Sequence, residues 1–191
     1  MGKLSGMMRP ERVNQLFELA ELLSQQRDFE EILRLITHKL RDLFAVDMAL
    51  IVMINPSTRH TIKTVKRDGV AADQPQLHFL QTNIVGWVSK NRQDFLSNDI
   101  QADSRFRPGL FKECIAQSAM CVSLQHQDTA IGYFVLLNIH DHPMNNSDLP
   151  FLHKAAVVCA PFLGNSHRVE DYFRTILPEA ALLTKYESVG L

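Results

Sequence analysis

Ala119-Met120-Cys121-Val122-Ser123-Leu124-Gln125 and Ala130-Ile131-Gly132-Tyr133-Phe134-Val135-Leu136-Leu137-Asn138-Ile139-His140 are two β-rich runs on either side of Gln127-Asp128. Two such runs separated by a short polar joint predict a β-hairpin. A hairpin commits its sheet to antiparallel pairing, because parallel neighbours need a long crossover.

Further strands lie upstream. Met48 to Ile54 is short, wholly apolar and stopped by Asn55-Pro56-Ser57, which describes a strand buried on both faces. His60 to Lys66, with Thr61, Ile62, Thr64 and Val65, is its hairpin partner and is closed by Asp68-Gly69. Gln76 to Leu80 is expected as another strand, and Ile84 to Asn91 as a short helix with Ile84, Val85 and Val88 inward and Trp87 nearby. From Gln93 to Gly109 the chain turns polar, and Asp99, Asp103, Ser104, Pro108 and Gly109 favour turns. A functional loop is expected there, followed by a short helix over Leu110 to Gln117.

Long helices flank these strands. Between Pro10 and Gln26 the apolar residues Val13, Leu16, Phe17, Leu19, Ala20, Leu22 and Leu23 recur mostly at spacings of three and four. Asp28 as N-cap, with Glu31 three residues on, announces a second helix carrying Ile32, Leu35, Ile36, Leu40, Leu43 and Phe44 and ending near Ala45. Asn146, Ser147 and Asp148 supply capping side chains for a final helix with Leu152, Ala155, Ala156, Val158 and Cys159. Pro161 and Gly164 are expected to kink it before Val169, Tyr172, Phe173 and Ile176 resume the stripe, and Pro178 ends or restarts the segment. The order gives an α+β fold: an antiparallel sheet, long terminal helices on one side, short helices and loops over the other.

With 191 residues, 46% hydrophobic and 21% charged, the chain suffices for one ordinary domain with its own core plus a helical extension. We divide it into an amphipathic helix (1–27), a domain (28–163) and a helical extension or linker toward a further domain (164–191). A net charge of -1 gives no electrostatic reason to expect direct nucleic-acid contact or an anionic membrane surface. No apolar stretch approaches the ~20 residues of a spanning helix, and Met1 to Pro10 lacks a secretory h-region. Cys114, Cys121 and Cys159, odd in number and without C-x-x-C spacing, suit a reducing cytoplasm. Neither a phosphate-loop motif nor a G-x-S-x-G elbow occurs, so the expectation is a cytoplasmic module that is not an enzyme.

The stretch Asn83-Ile84-Val85-Gly86-Trp87-Val88, then Phe95-Leu96, then Asn98-Asp99-Ile100-Gln101-Ala102-Asp103-Ser104-Arg105-Phe106, resembles the most recognisable passage of GAF domains. Ser118 to Leu124, Thr129 to Leu136, and Asn146 to Leu152 extend the resemblance over about Phe29 to Leu163. It implies a bacterial signal-transduction sensor that holds a small-molecule effector between the sheet and the loops from Phe79 to Gly109. Leu182 to Leu191 resembles the joint before the ATPase module of sigma-54-dependent transcriptional activators. By that likeness the chain is an N-terminal input domain controlling transcription.

Candidate ligand-binding residues are Phe79, Trp87, Asp99, Asp103, Arg105, Phe106, Met120, Cys121 and Tyr133. The plainer reading of Asp99, Asp103 and Arg105 is that they hold the loop by side-chain to backbone bonds, and of the aromatic residues and Met120 that they are core. Gly86 is expected to permit close approach of its helix to neighbouring backbone. A non-haem iron site built from Asp99, Asp103 and Cys121 is set second, because the cysteine lies displaced along its strand and two residues amount to ~7 Å. No cofactor is otherwise assigned. The stripes over Val13 to Leu23 and Val169 to Ile176 suit a homodimer seam. A ligand-free dimerisation module, or the input domain of a histidine kinase or cyclic-nucleotide enzyme, is the alternative.

Overall fold

The computed structural model describes residues 10–54, 61–66, 75–140 and 142–164. In chain order its elements are α1 (Pro10–Gln25), α2 (Phe29–Phe44), β1 (Met48–Ile54), β2 (Thr61–Lys66), α3 (Pro75–Asn91), β3 (Phe95–Ser97), β4 (Ser118–His126), β5 (Thr129–Asn138) and α4 (Asp148–Leu163). The described strands form one antiparallel sheet in the order β2-β1-β5-β4-β3. The α+β architecture is therefore as the order of elements in the sequence implies.

The hairpin that decides the fold turns on Gln127 and Asp128, both at positive φ (49° and 62°), the backbone a two-residue loop needs to match the twist of its strands. Alternation along the strands then sorts side chains onto two faces. Ala49, Ile51, Met53, Met120, Val122, Leu124, Phe134 and Leu136 face α1, α2 and α4 and close the larger core. Leu50, Val52, Ile54, Ala119, Cys121, Tyr133, Val135 and Leu137 face α3 and the segment after β3.

Local chemistry sets the helix ends. Asp28 accepts the Glu31 N–H at 2.8 Å, and Ala45 closes α2 in the left-handed conformation (φ 50°). In α1, Leu16, Leu19 and Leu23 are buried, while Arg12 reaches Asp148 at 2.5 Å and lies over the Phe151 ring, tying the start of α1 to the start of α4. Asp148 is thus used between helices. Ser147 is the N-cap of α4 but makes no side-chain cap bond, and Asn145 accepts the Ser147 N–H instead. Pro161 sits in the last turn of α4, where little of the helical ladder remains to be broken, and Gly164 is the C-cap. The residues expected to continue the stripe, Val169 to Ile176, and the tail Leu182 to Leu191 lie outside the described residues.

Three expectations are corrected. Gln76 to Leu80 is not a strand; it opens α3, because Leu77, Leu80, Ile84 and Val88 recur at helical spacing and are buried together. The polar run 93–109 contains a three-residue edge strand, β3, too short to show a period in sequence. Residues 110–117 are a chain of turns, with bonds from Leu110 N–H to Arg107 O, Lys112 N–H to Gly109 O and Cys114 N–H to Phe111 O. Gly109 at φ 76° starts that chain, and Phe111, Cys114 and Ala116 are its buried anchors.

Candidate functional site

The face of the sheet away from the long helices is roofed by α3 and by residues 95–117. An aromatic chain fills much of the space beneath: Trp87 against Phe95 (5.6 Å between centroids), Phe95 against Phe106 (5.8 Å), Phe106 against Phe111 (4.9 Å) and Phe111 against Phe79 (6.0 Å). Arg105 lies over it, its guanidinium carbon 3.9 Å from the Phe95 centroid and 5.1 Å from that of Trp87.

The same guanidinium holds the loop. Its Nε donates to Asp103 Oδ1 at 2.8 Å, and its Nη2 donates to Asp103 Oδ2 at 2.5 Å and to the Leu96 carbonyl at 2.6 Å. Asp103 Oδ1 also accepts the Arg105 N–H at 3.0 Å, and Asp99 Oδ1 accepts the Ala102 N–H at 3.0 Å. Asn98 exchanges two hydrogen bonds with the Met144 backbone, and Ile100 N–H donates to Gln117 O, so the loop is pinned along its length.

Burial raises the Asp103 carboxyl, but the side-chain bonds from Arg105 and Ser97, the Arg105 N–H and the guanidinium charge outweigh it and hold the group at about 2. A carboxyl depressed in the folded state stabilises fully above its unfolded value and loses that contribution as pH falls through its folded one. Asp103→Asn is therefore expected to lower stability near pH 7 by on the order of 2 kcal/mol and to flatten the acid limb between roughly pH 4 and pH 2, as urea unfolding across pH will read.

The candidate residues do not all converge. Trp87, Arg105 and Phe106 meet around Phe95; Cys121 and Tyr133 lie on the same sheet face; Phe79, 47% exposed, is the outer end of the aromatic chain, beside an opening of about 420 Å³ with residues 109–114. Met120 is separated from the others because it belongs to the opposite face, in the core under the long helices. A one-residue step along a strand turns a side chain to the other side, so Met120 and Cys121 do not share a pocket. Burial raises the thiols of Cys114, Cys121 and Cys159, which keeps them protonated and poorly nucleophilic. Among the described residues no group of three or more His, Cys, Asp or Glu side chains is placed to hold a metal ion.

Space remains between α3 and the sheet. A cavity of about 190 Å³ is lined by Val52 and Ile54 of β1, Tyr133 of β5, and Gln81, Thr82, Val85, Gly86 and Ser89 of α3. Of these only Tyr133 stands among the candidate ligand-binding residues. The missed signal is the recurrence of Gln81/Thr82, Val85/Gly86 and Ser89 on one side of a helix, invisible when residues 76–80 are taken as a strand. Gly86 also departs from expectation, since a Cβ built there would meet no atom within 4 Å. Gly86 is exposed at the edge of this cavity and serves no backbone contact. Gly86→Ala is accordingly expected to raise stability by about 0.5–1 kcal/mol through helix propensity alone, measured by urea denaturation.

A family model described as GAF domain matches residues 28–161. No curated protein sequence matches the chain. Among solved structures, the GAF domain of an Acinetobacter phosphoenolpyruvate-protein phosphotransferase is 13% identical with a TM-score of 0.66, covering 86% of this chain and 99% of that one. Free methionine-R-sulfoxide reductase from Neisseria meningitidis, in complex with its substrate, is 12% identical with a TM-score of 0.63, covering 88% and 99%. A segment of a methyl-accepting chemotaxis protein is 18% identical with a TM-score of 0.55, covering 76% and 94%. At these identities the likeness concerns the fold.

Proposed function

The chain belongs to the GAF family, and from that premise we propose that it is a cytoplasmic small-molecule-sensing input domain, a regulatory module and not an enzyme. The observation that carries the reading is the cavity beneath α3, bounded by β1 and β5 on one side and by α3, Gly86 included, on the other. A ligand there touches α3, β1 and β5 together, and β1 and β5 carry the long helices on their other face. Occupancy changes the output only if the two helix arrangements bind the ligand with different affinity.

The domain proper is residues 28–163, with 164–191 as the joint to an output module. The tail Leu182 to Leu191 supports an AAA+ sigma-54-dependent transcriptional activator as that output, whereas the fold neighbours named above are a phosphotransferase domain, a sulfoxide reductase and a chemotaxis protein segment. The homodimer reading is supported by Phe17 on α1 and Val157 on α4, 70% and 61% exposed. The aromatic filling around Phe95 favours the second reading, a ligand-free dimerisation module.

Native mass spectrometry of the freshly purified chain, against its denatured mass, separates the two. A mass excess that disappears on denaturation, and is absent from Gly86→Leu, is the expected result. An apo mass for both proteins, with no thermal shift from a metabolite panel, overturns the sensor reading.

A further inference from the structure

The cavity beneath α3 has a neighbour. A second hollow of about 380 Å³ is lined by Val88, Ser89, Arg92, Gln93, Asp94, Ser123, Gln125, Asp128, Ala130, Tyr133 and His153, and it shares Ser89 and Tyr133 with the inner one. Strand register makes the connection concrete. Val52 pairs with Tyr133 and Tyr133 with Ser123, so one row across β1, β5 and β4 runs from the inner chamber to the outer. Two inter-strand steps span roughly 10 Å, and Gln81 to Ser89 along α3 spans roughly 12 Å. The two hollows adjoin at Ser89 and Tyr133, so a ligand long enough to cross that row occupies both, and together they are termed the cleft.

Its ends differ in chemistry. The described inner lining holds no Asp, Glu, Lys, Arg or His, and places Val52, Ile54 and Val85 beside the amide and hydroxyl groups of Gln81, Thr82 and Ser89. The outer lining holds both signs of charge. Asp94 is engaged by His153 Nδ1 at 3.0 Å. Among the described residues, neither the Arg92 guanidinium nor the Asp128 carboxylate makes a hydrogen bond or ion pair. Both are held by backbone at positive φ, 53° and 62°. Both residues are exposed at the mouth of the outer hollow, so a ligand bearing a single charge engages one and leaves the other in water, whereas a ligand bearing both charges engages both.

Resting on the reading of this cleft as the sensor site, we propose that its ligand is an elongated zwitterion of the α-amino acid type. Carboxylate and ammonium lie in the outer chamber against Arg92 and Asp128, and an uncharged side chain enters the inner one. The inner hollow, about 190 Å³, admits an aliphatic side chain of limited length, which the series below reads out.

The test is thermal unfolding of the 191-residue chain with 2-aminobutyrate, norleucine, 2-aminooctanoate and 2-aminodecanoate, and with octanoate and octylamine as single-charge controls. The midpoint is expected to rise along the series to 2-aminooctanoate and no further, with both controls at least tenfold weaker in apparent affinity. Arg92→Asn and Asp128→Asn, which suit the left-handed backbone, are expected to abolish the preference for the zwitterion. Gly86→Leu is expected to move the optimum to shorter side chains, with Gly86→Ala as the milder variant should Leu prevent folding. Octanoate or octylamine equalling 2-aminooctanoate, a flat amino-acid series, or an unchanged preference in both Asn variants overturns the ligand class. If the series is flat while native mass spectrometry still shows a cargo that Gly86→Leu loses, the class is wrong and the cleft stands. If both fail, the sensor reading falls with it.

Discussion

Phe95→Ala is expected to cost about 3–5 kcal/mol, a large part of the stability of an ordinary domain. Phe95 is fully buried and is the ring on which the roof of the site converges: Trp87 from α3 packs on it, Phe106 from the loop packs on it, and the Arg105 guanidinium lies 3.9 Å from its centroid. It is also the first residue of β3, paired with Cys121 of β4. Truncation therefore removes the transfer energy of a phenyl ring, leaves a void under three neighbours and loosens the shortest strand of the sheet. Phe95→Leu, which keeps part of the volume, is expected to cost roughly 1.5 kcal/mol. Urea denaturation of both variants checks the ratio, and near-equal losses would show that the ring contacts matter less than strand pairing.

Gly132→Val is expected to cost about 3 kcal/mol or more by the opposite mechanism, overpacking. A Cβ at this position would stand 2.7 Å from the Val52 carbonyl oxygen and 3.3 Å from Met53 Sδ. The sulfur yields by rotation, but the carbonyl belongs to β1, which is hydrogen-bonded between β2 and β5 and does not yield alone. Adding two further methyl groups on that Cβ forces the central strands apart. The measurement is again the denaturation midpoint, with Gly86→Ala as the control in which a new methyl group meets open space. A Gly132→Val protein as stable as the parent would mean that the β1–β5 spacing is softer than its pairing implies.

The contrast between these two glycines shows what the sequence conveys and what it withholds. Both sit in the passages that resemble GAF domains, and nothing in the letters tells which one is pressed against a backbone and which faces a void. Patterns with a local cause were legible: Asp28 capping α2 through Glu31, the apolar run of β1 buried on both faces, and the Gln127-Asp128 turn. Residues 95–97 and 110–117 are short and take their conformation from what they pack against, whereas residues 76–80 belong to a helix whose spacing, Leu77, Leu80, Ile84 and Val88, shows only in a window longer than five residues. The site suffered accordingly. Asp99, Asp103 and Arg105 stand out as a polar cluster, yet their bonds are spent within the loop, whereas Gln81, Thr82 and Ser89 carry no motif and acquire meaning only when α3 lies over the sheet.

Trp87 is the one tryptophan of the chain. Its indole stands at the junction of α3, β3 and the loop, half-buried, with a cation over its ring. The domain thus carries an intrinsic fluorophore at the place where the loop is latched beside α3 and β3. Its emission wavelength and quenching depend on whether Arg105 stays over the ring, so a loop that opened would be seen in real time by stopped-flow mixing without any label, separately from anything that happens at the terminal helices.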